Sequence, residues 1–284
     1  MTIKEIDETI EQGQSLKTIA QAYSEIANLK IKKIRAQVER NRLFFQEISK
    51  VYGLVKNLAA LKKMTVVKPK KMVCLILTSN YRFYGRINSD LLQFFIKSTQ
   101  NVDTDRIVVN RAAIEYFRAQ PIFDNYQEIL LRDDLPQPQE LASLVNILKG
   151  YNQVLVFYSS MKTLARQQPT VSDITATSVL GTKSSDDFKF IFEPELPKIL
   201  QFFDSSILTL LLESTFLESE LSRTASRFIS MDSAETGANN FIKQYQTLRA
   251  YTKRNLENNK ILESFASLAA RRASMMMDRK ALYE

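Results

Sequence analysis

Residues 16–55 read LKTIAQAYSEIANLKIKKIRAQVERNRLFFQEISKVYGLV, a stretch without proline. The whole of residues 1–68 and of residues 198–284 also lacks it, because all seven prolines lie between Pro69 and Pro197. Proline breaks a helix interior, since it lacks an N–H donor and clashes with the preceding turn. We therefore predict one long helix at each end of the chain and a compact domain inserted between them.

The apolar residues of both flanks recur mostly at steps of three, four and seven, the spacing of a coiled-coil seam. In the first flank they include Ile3, Ile6, Ile10, Leu16, Ile19, Tyr23, Ile26, Ile34, Val38, Phe45 and Ile48. In the last flank they include Leu221, Ala225, Phe228, Met231, Ala238, Phe241, Tyr245 and Leu248. Such long helices must bury this face against another helix, so the simplest arrangement is an antiparallel coiled coil of the two ends.

Small residues and basic residues of the two flanks also bear on how these helices pack. Gly13 is a weak point of the first helix, because glycine destabilises a helix interior. In the last flank, the small residues Ala234, Gly237 and Ala238 would let a partner helix approach closely. The face opposite the first seam is basic, and either a solvated surface or a partner-binding surface explains it. Its basic residues are Lys30, Lys32, Lys33, Arg35, Arg40 and Arg42.

The middle of the chain alternates short apolar runs with helical patterns. The runs Met72–Leu77, Ile107–Val109 and Val154–Tyr158 are typical of strands buried on both faces. Helices are predicted over Asp90–Ser98, Ala112–Ala119 and Leu141–Leu148, an added strand over Phe188–Phe192, and an exposed loop over Ser172–Asp187. Strands that alternate with helices favour a three-layer, Rossmann-like α/β domain. The predicted domains are 1–66 and 206–284 for the coiled coil and 67–205 for the inserted domain.

Composition narrows the possible functions. The chain has 284 residues and a formal net charge of +8, so it should favour anionic partners. No apolar run is long enough to cross a bilayer, and the acidic start does not resemble an export signal. The single cysteine, Cys74, cannot form an internal disulfide and fits a reducing compartment such as a bacterial cytoplasm.

No catalytic, cofactor or metal site is predicted. The chain has no histidine, which removes the commonest general base and most zinc sites. Cys74 lies in an apolar strand and is expected to be an inert core thiol. The fragment Gly181–Ser184 lacks the earlier glycine of a phosphate loop, and the acidic pairs Asp133-Asp134 and Asp186-Asp187 are expected in flexible turns.

The whole layout resembles the gamma subunit of F-type rotary ATPases, and the order and spacing of several motifs carry the resemblance. The N-terminal match is Thr18–Tyr23, followed by Ile26-Ala27 and Lys30. The central match is Thr78-Ser79-Asn80, Gly85 and Asn88, followed by Tyr158, Gln168-Pro169 and Phe192-Glu-Pro194. The C-terminal match is Glu218-Ser219, Ser222, Arg227, Met231-Asp232, Ala234, Ala238 and Ile242.

The departures from the family pattern indicate a divergent member. Tyr81, Arg82 and Arg86 replace an arginine and glycines of the central motif. Arg223 stands where the family has glutamate, and Lys253-Arg254 stands where it has Arg-Gln.

The resemblance implies a central rotor shaft that couples rotation to ATP synthesis or hydrolysis on partner subunits and is itself not an enzyme. The implied partners are alpha- and beta-type nucleotide-binding subunits in a three-to-three ring, an epsilon-type subunit and a membrane rotor ring, with no nucleic acid. The implied location is peripheral, on the cytoplasmic face of a bacterial cell membrane. The residues expected to face the ring are Ile19, Tyr23, Lys30, Lys33, Arg227, Met231, Lys253, Arg254 and Met276.

Two alternatives to the rotor remain open at this point. The rod and the positive charge also suit a basic coiled-coil adaptor or a nucleic-acid-binding protein, although Tyr23, Phe45 and Tyr52 follow the apolar seam rather than the basic face. An enzyme that uses the α/β domain alone is the third reading, and no candidate site supports it. The run Met275–Met277 fits either a helix tip seated in a partner or a frayed terminus.

Overall fold

Long helices at both ends flank a small mixed sheet. The computed structural model describes residues 1–61, 70–175 and 196–281. The two long helices are α1 (Ile3–Leu61) and α5 (Leu196–Ala281). Between them the chain forms β1 (Lys70–Leu77), α2 (Ile87–Thr99), β2 (Asp105–Val109), α3 (Arg111–Ala119), β3 (Gln127–Ile129), α4 (Pro138–Leu148), β4 (Tyr151–Thr163) and β5 (Arg166–Asp173). The prediction of terminal helices around an α/β domain is confirmed.

The sheet has five strands in the order β3-β2-β1-β4-β5. The first four are mutually parallel, and β5 pairs antiparallel with β4 as a hairpin. The order 3-2-1-4 is that of a doubly wound α/β fold, in which the strand order reverses between β1 and β4. The carboxyl ends of these two strands are therefore the part of the sheet where a doubly wound fold can place a site.

Helices cover both faces of the sheet. On one face, α2 and α3 pack on Cys74, Ile76 and Phe157 through an aromatic cluster. On the other face, α4 and the Leu208–Phe216 part of α5 pack on the alternate residues of the same strands. The domain thus has three layers, and one of its outer layers is a section of a long terminal helix.

Several details of the middle segment differ from the prediction. The strands β3 and β5 were not predicted, and the predicted loop over Ser172–Asp187 is wrong at its start because Ser172 and Asp173 belong to β5. The remaining predicted helices and strands exist, with somewhat wider bounds. The candidate strand Phe188–Phe192, the fragment Gly181–Ser184 and the pair Asp186-Asp187 lie outside the described residues.

The chain divides into two compact units, one of Met1–Tyr23 with Met231–Glu284 and one of Ser24–Ser230. In the first unit, Asp7 pairs with Arg249 and Gln21 hydrogen bonds to Glu235 at 2.7 Å. The residue number of the α5 partner falls as the residue number along α1 rises, so the two helical segments run antiparallel.

The second unit contains its own helix pair. Ile31 and Ile34 of α1 pack on Leu217, Leu221 and Ala225 of α5. Further along α1, Phe45 and Ile48 pack around Ile207. Here too the contacts run antiparallel, which fits the predicted coiled coil.

The residues that form the seam differ from those predicted for the start of α1. The buried positions are Ile6, Gly13 and Ala20, at steps of seven, whereas Leu16 and Ile19 are more than half exposed. The prediction that Leu16 and Ile19 line the seam is therefore wrong. At Gly13 the structure adds a packing reason for glycine, because its missing side chain makes room for Ile242, whose Cγ1 would lie 3.0 Å from an added Cβ.

Candidate functional site

Thr78 joins three elements at the carboxyl edge of the sheet. It follows β1 directly and is buried. Its Oγ1 donates to the Val109 carbonyl at 2.7 Å and accepts from the Ala113 amide at 3.1 Å. One hydroxyl therefore links the ends of β1 and β2 to the first turn of α3.

The loop after Thr78 contains the rest of the central motif. The buried Ser79 hydroxyl accepts a hydrogen bond from Asn88 Nδ2 at 2.7 Å. Gly85 has φ +61°, a left-handed conformation that favours glycine, and an added Cβ would lie 3.1 Å from the Ser230 hydroxyl. The structure thus brings together the predicted motif residues, and the Gly85 turn lets this loop approach α5 closely.

The buried Asp134 holds this loop in place. Its carboxylate accepts from the Asn80 amide and from the Tyr84 hydroxyl, both at 2.6 Å. Burial, together with the negative charges of Glu220 and Asp134, raises the pKa of Tyr84 far above its usual range. The prediction of a flexible acidic turn at Asp134 is wrong, because the residue is fully buried.

Asn110 supports the same edge from β2. It is buried at φ +73°, and its Nδ2 donates to the Thr78 carbonyl at 3.1 Å. Its Oδ1 accepts from the Leu131 amide at 3.2 Å. Asparagine tolerates the left-handed region better than most residues, which explains its presence at this position.

Arg223 of α5 lies against this edge and is 1% exposed. Its Nη1 donates to the Thr78 carbonyl at 3.2 Å and to Ser219 Oγ at 2.9 Å. Its Nη2 approaches the Asp134 carbonyl at 3.4 Å and Glu220 Oε2 at 3.0 Å. One guanidinium thus bonds to two separate loops of the α/β domain and to a carboxylate on its own helix.

Glu220 is the buried counter-charge. One carboxylate oxygen pairs with Arg223, and the other pairs with Lys30 of α1. Burial raises the pKa of Glu220, but the cations Arg223 and Lys30 outweigh burial, and the net pKa lies below its usual value. A charged Glu220 therefore contacts both long helices. We call Lys30, Glu220 and Arg223 the buried ion chain.

A part-buried hydrogen bond joins β4 to α5. The Tyr158 hydroxyl donates to Glu218 Oε2 at 2.8 Å. Burial and the Glu218 charge raise the pKa of Tyr158 beyond its usual range, so it stays a neutral donor. The α5 residues from Glu218 to Arg223 thus occupy the carboxyl ends of β1 and β4, where a nucleotide would bind in a doubly wound fold.

We call the contact of Glu218–Arg223 with Thr78, Asp134 and Tyr158 the joint. The remaining predicted residues lie outside it or at its edge. Arg227 donates to the Arg82 carbonyl at 3.0 Å, and its guanidinium carbon lies 4.0 Å from the centre of the Tyr84 ring. Met231 is buried and Lys33 is exposed. The predicted ring-facing residues are divided between the two compact units.

The other predicted ring-facing residues lie in the first compact unit. Ile19 and Tyr23 of α1 are exposed, as are Lys253 and Arg254 of α5. The side chain of Met276 is outside the described part of the structure.

The described residues offer little for catalysis. Within residues 1–61, 70–175 and 196–281, no group of three or more metal-ligating side chains could hold a metal ion. A cavity of about 640 Å³ at the amino ends of β2 and β4 is lined mainly by polar residues, including Asp105, Arg106 and Tyr126. Cys74 is buried as predicted, and burial raises the pKa of its thiol. No helix in the described ranges is both long and apolar enough to span a membrane.

The sequence matches the ATP synthase family over residues 2–256. The chain belongs to this family. The ATP synthase gamma chain of Desulforudis audaxviator is 23% identical over 262 residues, with 84% of this chain and 89% of the relative covered. That of Glaesserella parasuis is 23% identical over 288 residues, with 94% and 98% covered.

Solved structures of ATP synthases share the fold. A chain of the Euglena gracilis mitochondrial ATP synthase, solved with OSCP, F1 and the c-ring, has a TM-score of 0.65 and 16% identity, with 95% of this chain and 96% of that chain covered. A chain of the Tetrahymena thermophila central stalk and c-ring has a TM-score of 0.56 and 18% identity, with 76% and 99% covered.

These findings confirm the resemblance drawn from the sequence. The chain is a gamma-type, non-catalytic subunit of an F-type ATP synthase. As such it is part of a membrane-associated complex.

Proposed function

We propose that this chain works as the central rotor shaft of its complex and couples rotation to ATP synthesis or hydrolysis on partner catalytic subunits. The observation that carries the proposal is the antiparallel pairing of N- and C-terminal helical segments in each compact unit. A pair of interlocked helices resists twisting, as a rotor requires. The functional segments are residues 1–66 and 206–284 for the shaft and 67–205 for the foot.

The proposed partners follow from the family. They are alpha- and beta-type subunits in a three-to-three ring, an epsilon-type subunit and a membrane rotor ring, at the cytoplasmic face of a bacterial membrane. We propose that Ile19, Tyr23, Lys33, Lys253, Arg254 and Met276 face the ring, whereas the ammonium of Lys30 is engaged within the chain by Glu220. Exposure of Ile19, Lys253 and Arg254 supports direct contact. Arg227 and Met231 are proposed to support that surface from within, because Met231 is buried and Arg227 bonds to Arg82.

The nucleic-acid alternative is judged first on the family. Of the aromatic residues expected in the seam, Phe45 packs around Ile207, whereas Tyr23 is 37% exposed. The family match favours protein partners instead.

Charge reversal at Lys253 and Arg254 tests the proposed function. Both side chains are exposed, so changing both to Glu should leave the fold intact. In the complex reconstituted with its ring and membrane sector, we expect fewer ions pumped per ATP hydrolysed. The matched control reverses Arg132 and Lys149, two exposed cations of the α/β domain, and should pump normally.

Two results would contradict the proposal. One is normal ion pumping and torque in the Lys253→Glu, Arg254→Glu variant. The other is failure of the wild-type chain to co-purify with nucleotide-binding subunits in a three-to-three ring.

A further inference from the structure

We propose that Arg223 is a positioning residue, and that the buried ion chain holds the sheet in a fixed orientation on both long helices of the Ser24–Ser230 unit, so that torque passes between them. The inference rests on the proposed function, because it concerns how a rotor transmits rotation. The contacts of one guanidinium and one carboxylate carry it.

Arg223 reaches two places in the α/β domain that are far apart in the sequence. The Thr78 carbonyl follows β1, and the Asp134 carbonyl lies between β3 and α4. A planar guanidinium has five N–H donors in a fixed arrangement, so it can bond to both carbonyls and to Glu220 at once. Lysine has a single ammonium head and cannot bridge the same set.

Glu220 links Arg223 to α1. Its Oε2 accepts from Arg223, while its Oε1 pairs with Lys30. Sliding of α1 against α5 would separate Lys30 from Glu220, and rotation of the sheet on α5 would separate Arg223 from the Thr78 carbonyl. Either motion leaves a buried charge without its partner, which proteins strongly resist.

Stability alone does not explain why the chain keeps these charges. Apolar side chains of similar volume often replace a buried ion pair without loss of stability. Hydrogen bonds from Arg223 to two carbonyls fix the orientation of α5 relative to the sheet, because they are directional, whereas an apolar contact is not.

The test replaces the pair by apolar residues of similar size. In the full chain carrying Glu220→Leu with Arg223→Met, we expect the melting temperature to stay within a few degrees of wild type. Loss of charged hydrogen bonds to two loops should speed amide exchange at Asn80 by about ten-fold. The matched control is Arg118→Met with Glu128→Leu, an exposed ion pair confined to the α/β domain, which should leave exchange at Asn80 unchanged.

The functional measurement uses the reconstituted complex. We expect the double variant to hydrolyse ATP but to pump fewer ions per ATP, while the control pumps normally. Arg223→Lys keeps the charge but not the bridge, so its pumping should lie between those of wild type and the double variant. If the double variant does not fold, Arg223→Lys decides the question by the same two measurements.

The outcomes separate the two proposals. Wild-type pumping and wild-type exchange at Asn80 in the folded double variant, or in Arg223→Lys where the double variant does not fold, would overturn the role of Arg223 but leave the rotor function intact. Absence of coupled pumping with the wild-type chain would overturn the rotor function. Exchange at Asn80 in the isolated chain would then still judge whether Arg223 fixes the joint.

Discussion

Two glycines of α1 and α5 test whether the terminal helical segments pack as described. An added Cβ at Gly13 would lie 3.0 Å from Ile242 Cγ1 and 3.2 Å from Phe241 Cδ1. At Gly237, apart from its chain neighbours and the backbone of its own helix, no described atom lies within 4 Å of the added Cβ. Both glycines are inside long helices of the same compact unit. Changing each to leucine therefore makes the same chemical change in opposite surroundings.

The expected changes in the free energy of unfolding have opposite signs in the two variants. Leucine is better than glycine in a helix interior by roughly 0.8 kcal/mol, so Gly237→Leu should stabilise the unit by about that amount. Gly13→Leu gains the same helix propensity but forces extra carbons against Ile242, and overpacking of this kind costs about 1–3 kcal/mol. We expect a net loss of stability for Gly13→Leu of about 1 kcal/mol, the gain being more than cancelled.

Hydrogen exchange measures this effect locally. Amides of peptides from residues 1–23 and from residues 231–250 of the intact chain report the opening free energy of this unit. Gly13→Leu should raise exchange in both peptides, whereas Gly237→Leu should lower it. Equal protection in the two variants would show that α1 and α5 do not meet at Gly13, and the described packing would be refuted.

Other predictions follow from burial and charge. Native Cys74 should react with a thiol reagent only after unfolding, and rapid labelling of the folded chain would contradict its burial. The pKa of Glu220 is lower in the folded chain than its usual value, so ionised Glu220 stabilises the fold above about pH 4.5. The stability difference between wild type and Glu220→Gln should therefore shrink as pH falls below that value. The raised pKa of Tyr158 favours the neutral form, so wild type should lose stability above about pH 10 and Tyr158→Phe should lose less, as chemical denaturation would measure. Removal of residues 271–284 should weaken assembly with the ring, and unchanged co-purification would indicate a loose tail.

The overall architecture was predictable because it depends on signals that act locally. Absence of proline identified the two long helices, and the apolar run at Met72–Leu77 identified the central strand. The edge strand β5 escaped detection because residues 166–173, RQQPTVSD, are mostly polar and contain a proline. Pairing with β4 creates this strand, and Pro169 is tolerated because β5 lies at the edge of the sheet.

The joint was only partly predictable, because its charges pair across the fold. The family motif identified Thr78 and Ser79, but no residue near Asp134 in the chain explains its burial. Burial of Asp134 depends on two donors that lie 54 and 50 residues earlier in the chain. A usable signal was present on α5, where Glu220 and Arg223 stand three residues apart within an apolar pattern.

The error in the seam of α1 itself bears on function. Gly13 and Ala20 occupy the helix contact at which Leu16 and Ile19 were expected. Because these residues are small, the two helices lie close together. The larger apolar side chains therefore remain on the outside, at a cost in free energy that burial by a partner would remove. The periodicity of hydrophobic residues could not separate these two faces of the helix, because both are apolar. An isolated soluble protein would gain by making Leu16 and Ile19 polar, so their retention favours a protein surface that covers them.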